Sequence, residues 1–205
     1  PMVSAIWSMP PYEAGKMPIN FFLKFFQNHG LFKLSKRPQW FTVKQRSRAY
    51  VNKVLSSISG EYYKNYKINS VKRIPSGVQI YYGGNNEFFD YDKVILATHA
   101  NEALSLINDP SEQEKNILSN FKYRENHAVL HTDENMMPRN RKTWSSWNSF
   151  VDPNDLKKSS LSYWLNLLQN LKIKENIFLT LNPFKEISKN KILKKINFTH
   201  PYYDQ

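Results

Sequence analysis

Cysteine is absent from this sequence of 205 residues, and glycine is scarce, with six residues. Without cysteine the chain can form no disulfide, no thiolate metal site and no thiol nucleophile, which is typical of a reducing compartment. The few glycines form no Gly-x-Gly-x-x-Gly, Walker A or Gly-x-Ser-x-Gly motif. We therefore expect a cytoplasmic protein, and the phosphate-cradling half of a nucleotide fold is not in this sequence.

Long apolar runs are also lacking, because no hydrophobic stretch approaches the ~18 residues that a transmembrane helix needs. Any contact with a membrane should therefore be peripheral. The first residue is Pro1 rather than methionine. We expect the chain to be an internal fragment of a longer protein.

Acidic residues are outnumbered, with 17 against 29 basic residues and a net charge of +12. This excess suits nucleic acid or an anionic membrane surface. The lysines are scattered, however, and no nucleic-acid-binding motif accompanies them. We expect no nucleic-acid partner, whereas peripheral membrane association stays open.

The prediction of the fold depends mainly on residues 92–107. Residues 94–96 (Val-Ile-Leu) form a short apolar run, typical of a strand buried on both faces. Ala97 and Thr98 are small and let a ligand approach, and helical spacing begins at Ala100. In open α/β sheets ligands bind at the carboxyl ends of such strands. The alternative is a buried strand that simply leads into a surface helix.

Two helices are predicted before this stretch. Pro18 begins the first, which has a phenylalanine-rich stripe and should end at Gly30. Ser47 is a candidate N-cap for the second, which should end at Gly60. The phenylalanine-rich helix is either core, the lining of an apolar cavity or a membrane contact. Residues 37–43 between the two helices are a strand candidate.

Alternating apolar residues predict strands at residues 68–74, 78–82, 88–89 and 93–96, a β-meander that leads into an α/β strand. Ser111 should cap a short helix, with Glu112 and Glu114 in its first turn. Further strands are predicted at residues 128–133, 144–150, 161–165 and 177–181. The lysine-rich residues after Phe184 have no clear pattern. The fold class is therefore mixed, α/β or α+β.

Histidine and tryptophan supply the candidate site residues. On one strand His127, His131 and Asp133 would face the same side, but the two histidines would lie about 13 Å apart, too far to share a metal ion. We expect no metal site, and His131 should form hydrogen bonds either in a polar core or beside a ligand. Trp144 and Trp164 are either core residues or the walls of a site for a flat cofactor ring.

Several short strings together resemble the flavin-containing amine oxidase superfamily. The nearest branch is that of the predicted FAD/NAD-binding oxidoreductases associated with cyclopropane fatty acid synthases. The strings are Arg37-Pro38-Gln39-Trp40 with Thr42-Val43, Ser47 with Tyr50-Val51, Asp92 with Val94-Ile95-Leu96-Ala97-Thr98-His99-Ala100, Val129-Leu130-His131-Thr132-Asp133, Met137-Pro138-Arg139, Trp144, Ser146-Trp147-Asn148, Tyr163-Trp164, Leu165-Asn166, Thr180-Leu181-Asn182-Pro183 and His200-Pro201.

The resemblance implies part of an FAD/NAD(P)-binding Rossmann-like domain and a substrate domain with a mixed β-sheet and helices. Residues 1–60 would form the helical part of the substrate domain. Residues 61–110 would supply the meander and returning strand of the FAD-binding domain. Residues 111–205 would form the β-sheet of the substrate domain, truncated at its carboxyl end.

The resemblance also implies hydride transfer from a substrate to FAD in the full-length parent, with this chain alone inactive. The substrate would be a small molecule such as an amine, or an acyl chain. The alternative is a non-catalytic lipid or membrane-surface binding module linked to cyclopropane fatty acid synthesis. The implied site residues are His127 and His131 for catalysis, and Val71, Ala97, Thr98, His99 and Trp164 for FAD binding.

The sequence departs from the family pattern at two places. Many relatives have Gly-Gly where Gln45 and Arg46 stand here. Many amine oxidases have a lysine near the flavin where His127 stands here. The second departure argues against amine oxidation itself but leaves other flavin redox chemistry open.

Overall fold

A computed structural model describes residues 3, 6–7, 11–84 and 86–201. Its chain divides into two compact units, residues 1–52 with 123–205 and residues 53–122. The helices are α1 (Pro11–Ala14), α2 (Ile19–Asn28), α3 (Arg46–Leu55), α4 (Ala100–Leu106), α5 (Glu112–Leu118) and α6 (Leu165–Leu168). The strands are β1 (Ile68–Ile74), β2 (Gly77–Tyr82), β3 (Glu87–Tyr91), β4 (Tyr123–His131), β5 (Trp147–Asp152), β6 (Asp155–Trp164), β7 (Phe178–Leu181) and β8 (Ile192–Pro201). The fold is mixed α/β, and both of its sheets are antiparallel.

The smaller unit contains the predicted meander, in the order β1-β2-β3. Gly77 begins β2 with a φ of 152°, and a Cβ there would lie 2.2 Å from the carbonyl oxygen of Tyr91, so glycine is required. Ser111 caps α5 as predicted, in a capping box with Glu114. The guanidinium of Arg73 on β1 pairs with Glu114 and so joins the meander to α5.

The predicted strand at residues 93–96 is not formed. These residues pair with no strand among those described, and the side chain of Ile95 is 91% exposed. A parallel strand is stabilised by hydrogen bonds to neighbouring strands. Both described sheets are antiparallel, and neither contains residues 93–96. The helix predicted from Ala100 is present as α4, with His99 as its N-cap.

The predicted strand at residues 37–43 is also wrong, because this stretch is irregular and exposed along its whole length. Trp40 is 68% exposed and Phe41 is 88% exposed. The helix after it is present as α3, but it begins at Arg46, so Ser47 lies inside the helix rather than at its cap. None of the residues of α3 is buried.

The larger unit is built on a five-stranded sheet in the order β5-β6-β7-β4-β8. Four of its strands were predicted; the bounds of β7 differ from the prediction by one residue, and those of β4, β5 and β6 differ by more. The fifth, β8, falls in the lysine-rich region that has no clear pattern. It lies at the edge of the sheet that the described residues form, where exposed lysines such as Lys194 and Lys195 are typical of an edge strand.

The phenylalanine-rich helix α2 packs within the same unit. Its Phe26 is buried in a cluster with Trp7 and Met17, and the ring of Phe25 packs at a tilt against that of Trp7, with 4.6 Å between the ring centroids. The helix ends as predicted, because His29 is its C-cap and Gly30 has a left-handed φ of 63°. Core packing is therefore confirmed for Phe26, whereas Ile19 and Leu23 of the predicted apolar stripe are 63% and 44% exposed.

A bidentate ion pair connects α1 to β4. Arg124 approaches the two carboxylate oxygens of Glu13 at 2.7 and 2.8 Å. The hydrogen bonds from Arg124 hold the pKa of Glu13 below its usual range, against the opposing effect of burial.

In the part of the chain that the structure describes, no helix is long and apolar enough to cross a membrane.

The backbone at the start of α3 carries a strain that can be measured. Gln45 and Arg46 have left-handed φ angles of 65° and 69°, at the two positions where the resemblance expects Gly-Gly. Because a side chain disfavours this conformation, we expect Gln45→Gly and Arg46→Gly each to raise the free energy of unfolding by about 0.5–1 kcal/mol.

The matched control for this prediction is Ala49→Gly, in the right-handed part of α3. It should lower the free energy of unfolding by about 1 kcal/mol. Urea denaturation measures all three variants. If the three glycines destabilised the protein equally, residues 45 and 46 would not be left-handed.

Candidate functional site

A buried chain of hydrogen bonds crosses three neighbouring strands of the larger unit. His131 on β4, Thr180 on β7 and Ser162 on β6 each have 0% of their surface exposed. The Nε2 atom of His131 lies 2.7 Å from Oγ1 of Thr180, which lies 2.7 Å from Oγ of Ser162. We call these three residues the buried relay.

The register of the sheet brings the relay together. Ser162 pairs directly with Thr180, and His131 pairs with Phe178, two residues before Thr180 on β7. Residues two apart on a strand share a face, so the three polar side chains meet on one side of the sheet. A buried polar group is tolerated only when it is hydrogen-bonded, and the relay meets that condition.

The tautomer of His131 follows from its two partners. The backbone N–H of Asp133 donates to Nδ1 of His131 at 3.1 Å. Nδ1 is therefore the acceptor, and Nε2 carries the proton and donates to Thr180. Burial lowers the pKa of His131 to about 4, although the negative charge of Asp133 opposes this effect. The imidazole is therefore neutral at neutral pH.

Asp133 is a second buried polar residue of the site, and only 1% of its surface is exposed. Its carboxylate accepts hydrogen bonds from the N–H and Oγ of Ser188 at 3.0 and 2.7 Å, from Nζ of Lys191 at 3.2 Å and from the N–H of Asn135 at 3.2 Å. Burial raises the pKa of such a carboxyl, but these donors outweigh it and hold the pKa well below the usual range. Asp133 is thus a charged group that ties the end of β4 to the turn before β8.

Aromatic rings surround the relay. Phe178 is completely buried and contacts both His131, at 5.5 Å between ring centroids, and Trp144, at 5.6 Å. Trp164 packs edge-on against Trp144 at 5.3 Å and donates from Nε1 to Asn176 at 3.0 Å. Trp164, predicted to bind the cofactor, is therefore half-buried in the same cluster as His131.

His127 is in different surroundings from His131. It is exposed, and its Nδ1 lies 2.9 Å from Oδ1 of Asn197 on the edge strand β8. Four residues of extended chain separate the two histidines by about 13 Å, so the structure does not bring the two predicted catalytic residues together. Among the described residues, no group of three metal-ligating side chains is placed to hold an ion.

The other predicted cofactor residues lie in the smaller unit. Val71 is 5% exposed, and its carbonyl accepts a hydrogen bond from the N–H of Asn108 at 2.9 Å. Ala97 and Thr98 are exposed, and Oγ1 of Thr98 donates to the carbonyl of His99. The backbone N–H of His99 donates to Glu102, which is the role of a helix cap.

His131 and Asp133 were candidate site residues in the sequence, whereas their partners Thr180, Ser162, Ser188 and Lys191 were not predicted. Thr180 and Ser162 interrupt predicted apolar strands with small hydroxyl residues, and that interruption is the signal that could have found them. Their pairing with His131 depends on strand order, which the local pattern does not contain.

No known family model matches the sequence, and no curated protein matches it. Among solved structures, the chain is similar to the crystal structure of CLA-producing fatty acid isomerase from P. acnes, with a TM-score of 0.46 and 11% sequence identity. The match covers 77% of this chain and 39% of that protein. The chain thus spans well under half the length of this structural neighbour.

Proposed function

We propose that the chain is the middle segment of a cytoplasmic FAD-dependent oxidoreductase of the amine oxidase type. The observation that carries this proposal is the unpaired apolar run at residues 94–96, with Ile95 91% exposed beside the helix α4. Exposing the side chain of Ile95 to water is unfavourable. In a Rossmann-like domain this run would be an inner parallel strand, paired with strands from the rest of that domain.

A parallel contact directly after α4 supports the same proposal. Ile107 forms a parallel bridge with Val71 of the meander, and the N–H of Asn108 donates to Val71. A chain that passes through a helix and returns parallel to a strand is typical of α/β domains. Antiparallel pairing within the meander alone does not require this contact.

The residues that would face FAD fit it in part. Ala97 and Thr98 are small and exposed at the end of the apolar run, so they fit the approach of the ADP moiety. The carbonyl of Val71 already accepts a hydrogen bond from Asn108, which leaves it less suited to bind adenine. The sequence has no glycine-rich turn for the pyrophosphate. When bound, the flavin would accept the hydride.

The larger unit would bind the substrate. Its buried relay and aromatic cluster combine a neutral imidazole with flat apolar walls, a composition typical of small-molecule sites. His131 is completely buried, so we assign it a positioning role within the sheet. The exposed His127 is the histidine of the pair that a substrate can reach. The proposed substrate is an amine or an apolar acyl chain.

Flavin retention tests this proposal. The chain of 205 residues, titrated with FAD, should show no stoichiometric binding, because it has no pyrophosphate cradle. The longer product of the natural gene should contain an upstream Gly-x-Gly-x-x-Gly and purify with FAD, as measured by its absorbance spectrum. In that longer protein Ile95→Asp should abolish flavin retention, since it places a charge in an inner strand.

The matched control is Ile117→Asp, which changes an isoleucine that is 52% exposed on α5. This variant should retain FAD. A longer product without flavin, or one that keeps all its FAD with Ile95→Asp, would contradict the proposed function. Tight stoichiometric binding by the chain of 205 residues would contradict its assignment as a middle segment.

A further inference from the structure

The helix α3 presents an apolar face that nothing in the described residues covers. Tyr50, Val51 and Val54 are 51%, 42% and 56% exposed. Tyr50 and Val54 are four residues apart, and Val51 and Val54 are three apart, so the three side chains form one continuous face. Ordinary surface helices bury such a face against a core.

Basic residues border this face on both sides. Arg46 and Lys53 lie four and three residues from Tyr50, and Arg48 lies three residues from Val51, so each cation is adjacent to the apolar face. All three are exposed, and none forms an ion pair with another described residue. We call these six residues the α3 surface.

The charge around the α3 surface is of one sign over a long stretch. Between Glu13 and Glu61 the sequence contains nine lysines and arginines and no acidic residue. This stretch therefore accounts for most of the net charge of +12. The exposed Trp40 and Phe41 lie in the same stretch, and tryptophan is a residue that favours membrane interfaces.

We infer that the α3 surface docks on an anionic lipid membrane, independently of the proposed flavin function. A short helix with an apolar face and flanking arginines or lysines lies in the plane of the lipid headgroups. The apolar side chains enter the headgroup region while the long basic side chains reach anionic phosphates. The positive charge favours an anionic membrane as the partner of the α3 surface, because a purely apolar partner would form no favourable interaction with the three unpaired cations.

Vesicle sedimentation with the full chain tests the inference. The chain should sediment with vesicles of equal parts phosphatidylcholine and phosphatidylserine, and much less with phosphatidylcholine alone. Replacing Arg46, Arg48 and Lys53 together by glutamine should weaken binding on the order of a hundredfold, at about fivefold for each cation. Added salt should weaken the wild-type chain as the charges are screened.

A second variant tests the apolar face. Val51→Asp with Val54→Asp should abolish sedimentation, because a buried carboxylate is costly at the interface. Both residues are exposed in the structure, so the fold should persist, which circular dichroism measures. The matched control changes two exposed apolar residues of β8, Leu193 and Phe198, to aspartate, and it should sediment like the wild type.

Three results would overturn the inference. The first is equal sedimentation with neutral and anionic vesicles. The second is a loss in the β8 control as large as in the α3 variant, which would show a nonspecific effect of charge. The third is self-association of the chain that is abolished by the α3 variant without any vesicle binding, which would assign the face to a second copy.

Discussion

Replacing Asp133 by alanine is expected to lower the free energy of unfolding by about 2–4 kcal/mol. The carboxylate is 1% exposed and accepts from four donors. Its removal leaves the hydroxyl and N–H of Ser188 and the N–H of Asn135 without an acceptor, and it separates Lys191 from its counter-charge. Ser188 is half-buried, so its two donors lose their acceptor where water can replace it only in part.

Urea denaturation at neutral pH measures this loss. Asp133→Asn keeps one acceptor oxygen and the size of the side chain, so it should lose less than the alanine variant. The matched control is Asp152→Ala, because Asp152 is half-buried and accepts one backbone hydrogen bond, from Asn154 at 2.9 Å. We expect a loss of about 1 kcal/mol there. Equal losses at positions 133 and 152 would contradict the central role of Asp133.

The strands of the fold were predictable where the sequence pattern is clear and the pairing partner of a strand lies only a few residues away in the sequence. The meander at residues 68–91 alternates apolar and polar residues, and its turns contain proline and glycine, so each strand finds its neighbour a few residues away. The strand predicted at residues 93–96 is not formed. Its apolar pattern is typical of a buried strand, but the run pairs with no strand among the described residues, and a strand needs such pairing.

The edge strand β8 shows a different limit. Its outer side faces no strand among those described, so lysines are tolerated there and obscure the alternation. The pattern is visible only once β4 is known to be its neighbour.

The candidate site was half predictable for a similar reason. His131 and Asp133 are close in sequence and were singled out together. Thr180 and Ser162 are far away in sequence, and they reach His131 only because β6, β7 and β4 are adjacent in the sheet. Strand order is a property of the whole sheet, so no window of local sequence contains it. The burial that shifts the pKa of His131 follows from the same strand order.

Acidification from pH 6.5 to about 4 is expected to destabilise the chain through His131. The histidine has its ordinary pKa of 6.5 in the unfolded chain and a pKa of about 4 in the folded chain. Between these values the unfolded state binds a proton that the folded state does not, so the free energy of unfolding falls as the pH falls. The difference in pKa corresponds to a loss of about 3 kcal/mol over this range.

Urea denaturation at a series of pH values measures this effect. His131→Gln can still donate to Thr180 and accept from Asp133, but it cannot be protonated, so its stability should be nearly independent of pH in this range. His127→Gln, which changes the exposed histidine, should keep the wild-type dependence. The lowered pKa values of Asp133 and Glu13 add their own losses only as the pH falls into the ordinary range of a carboxyl, at the acidic end of this series. A wild-type stability that stays constant from pH 6.5 to about 4 would mean that water reaches His131 and that the relay is not sealed.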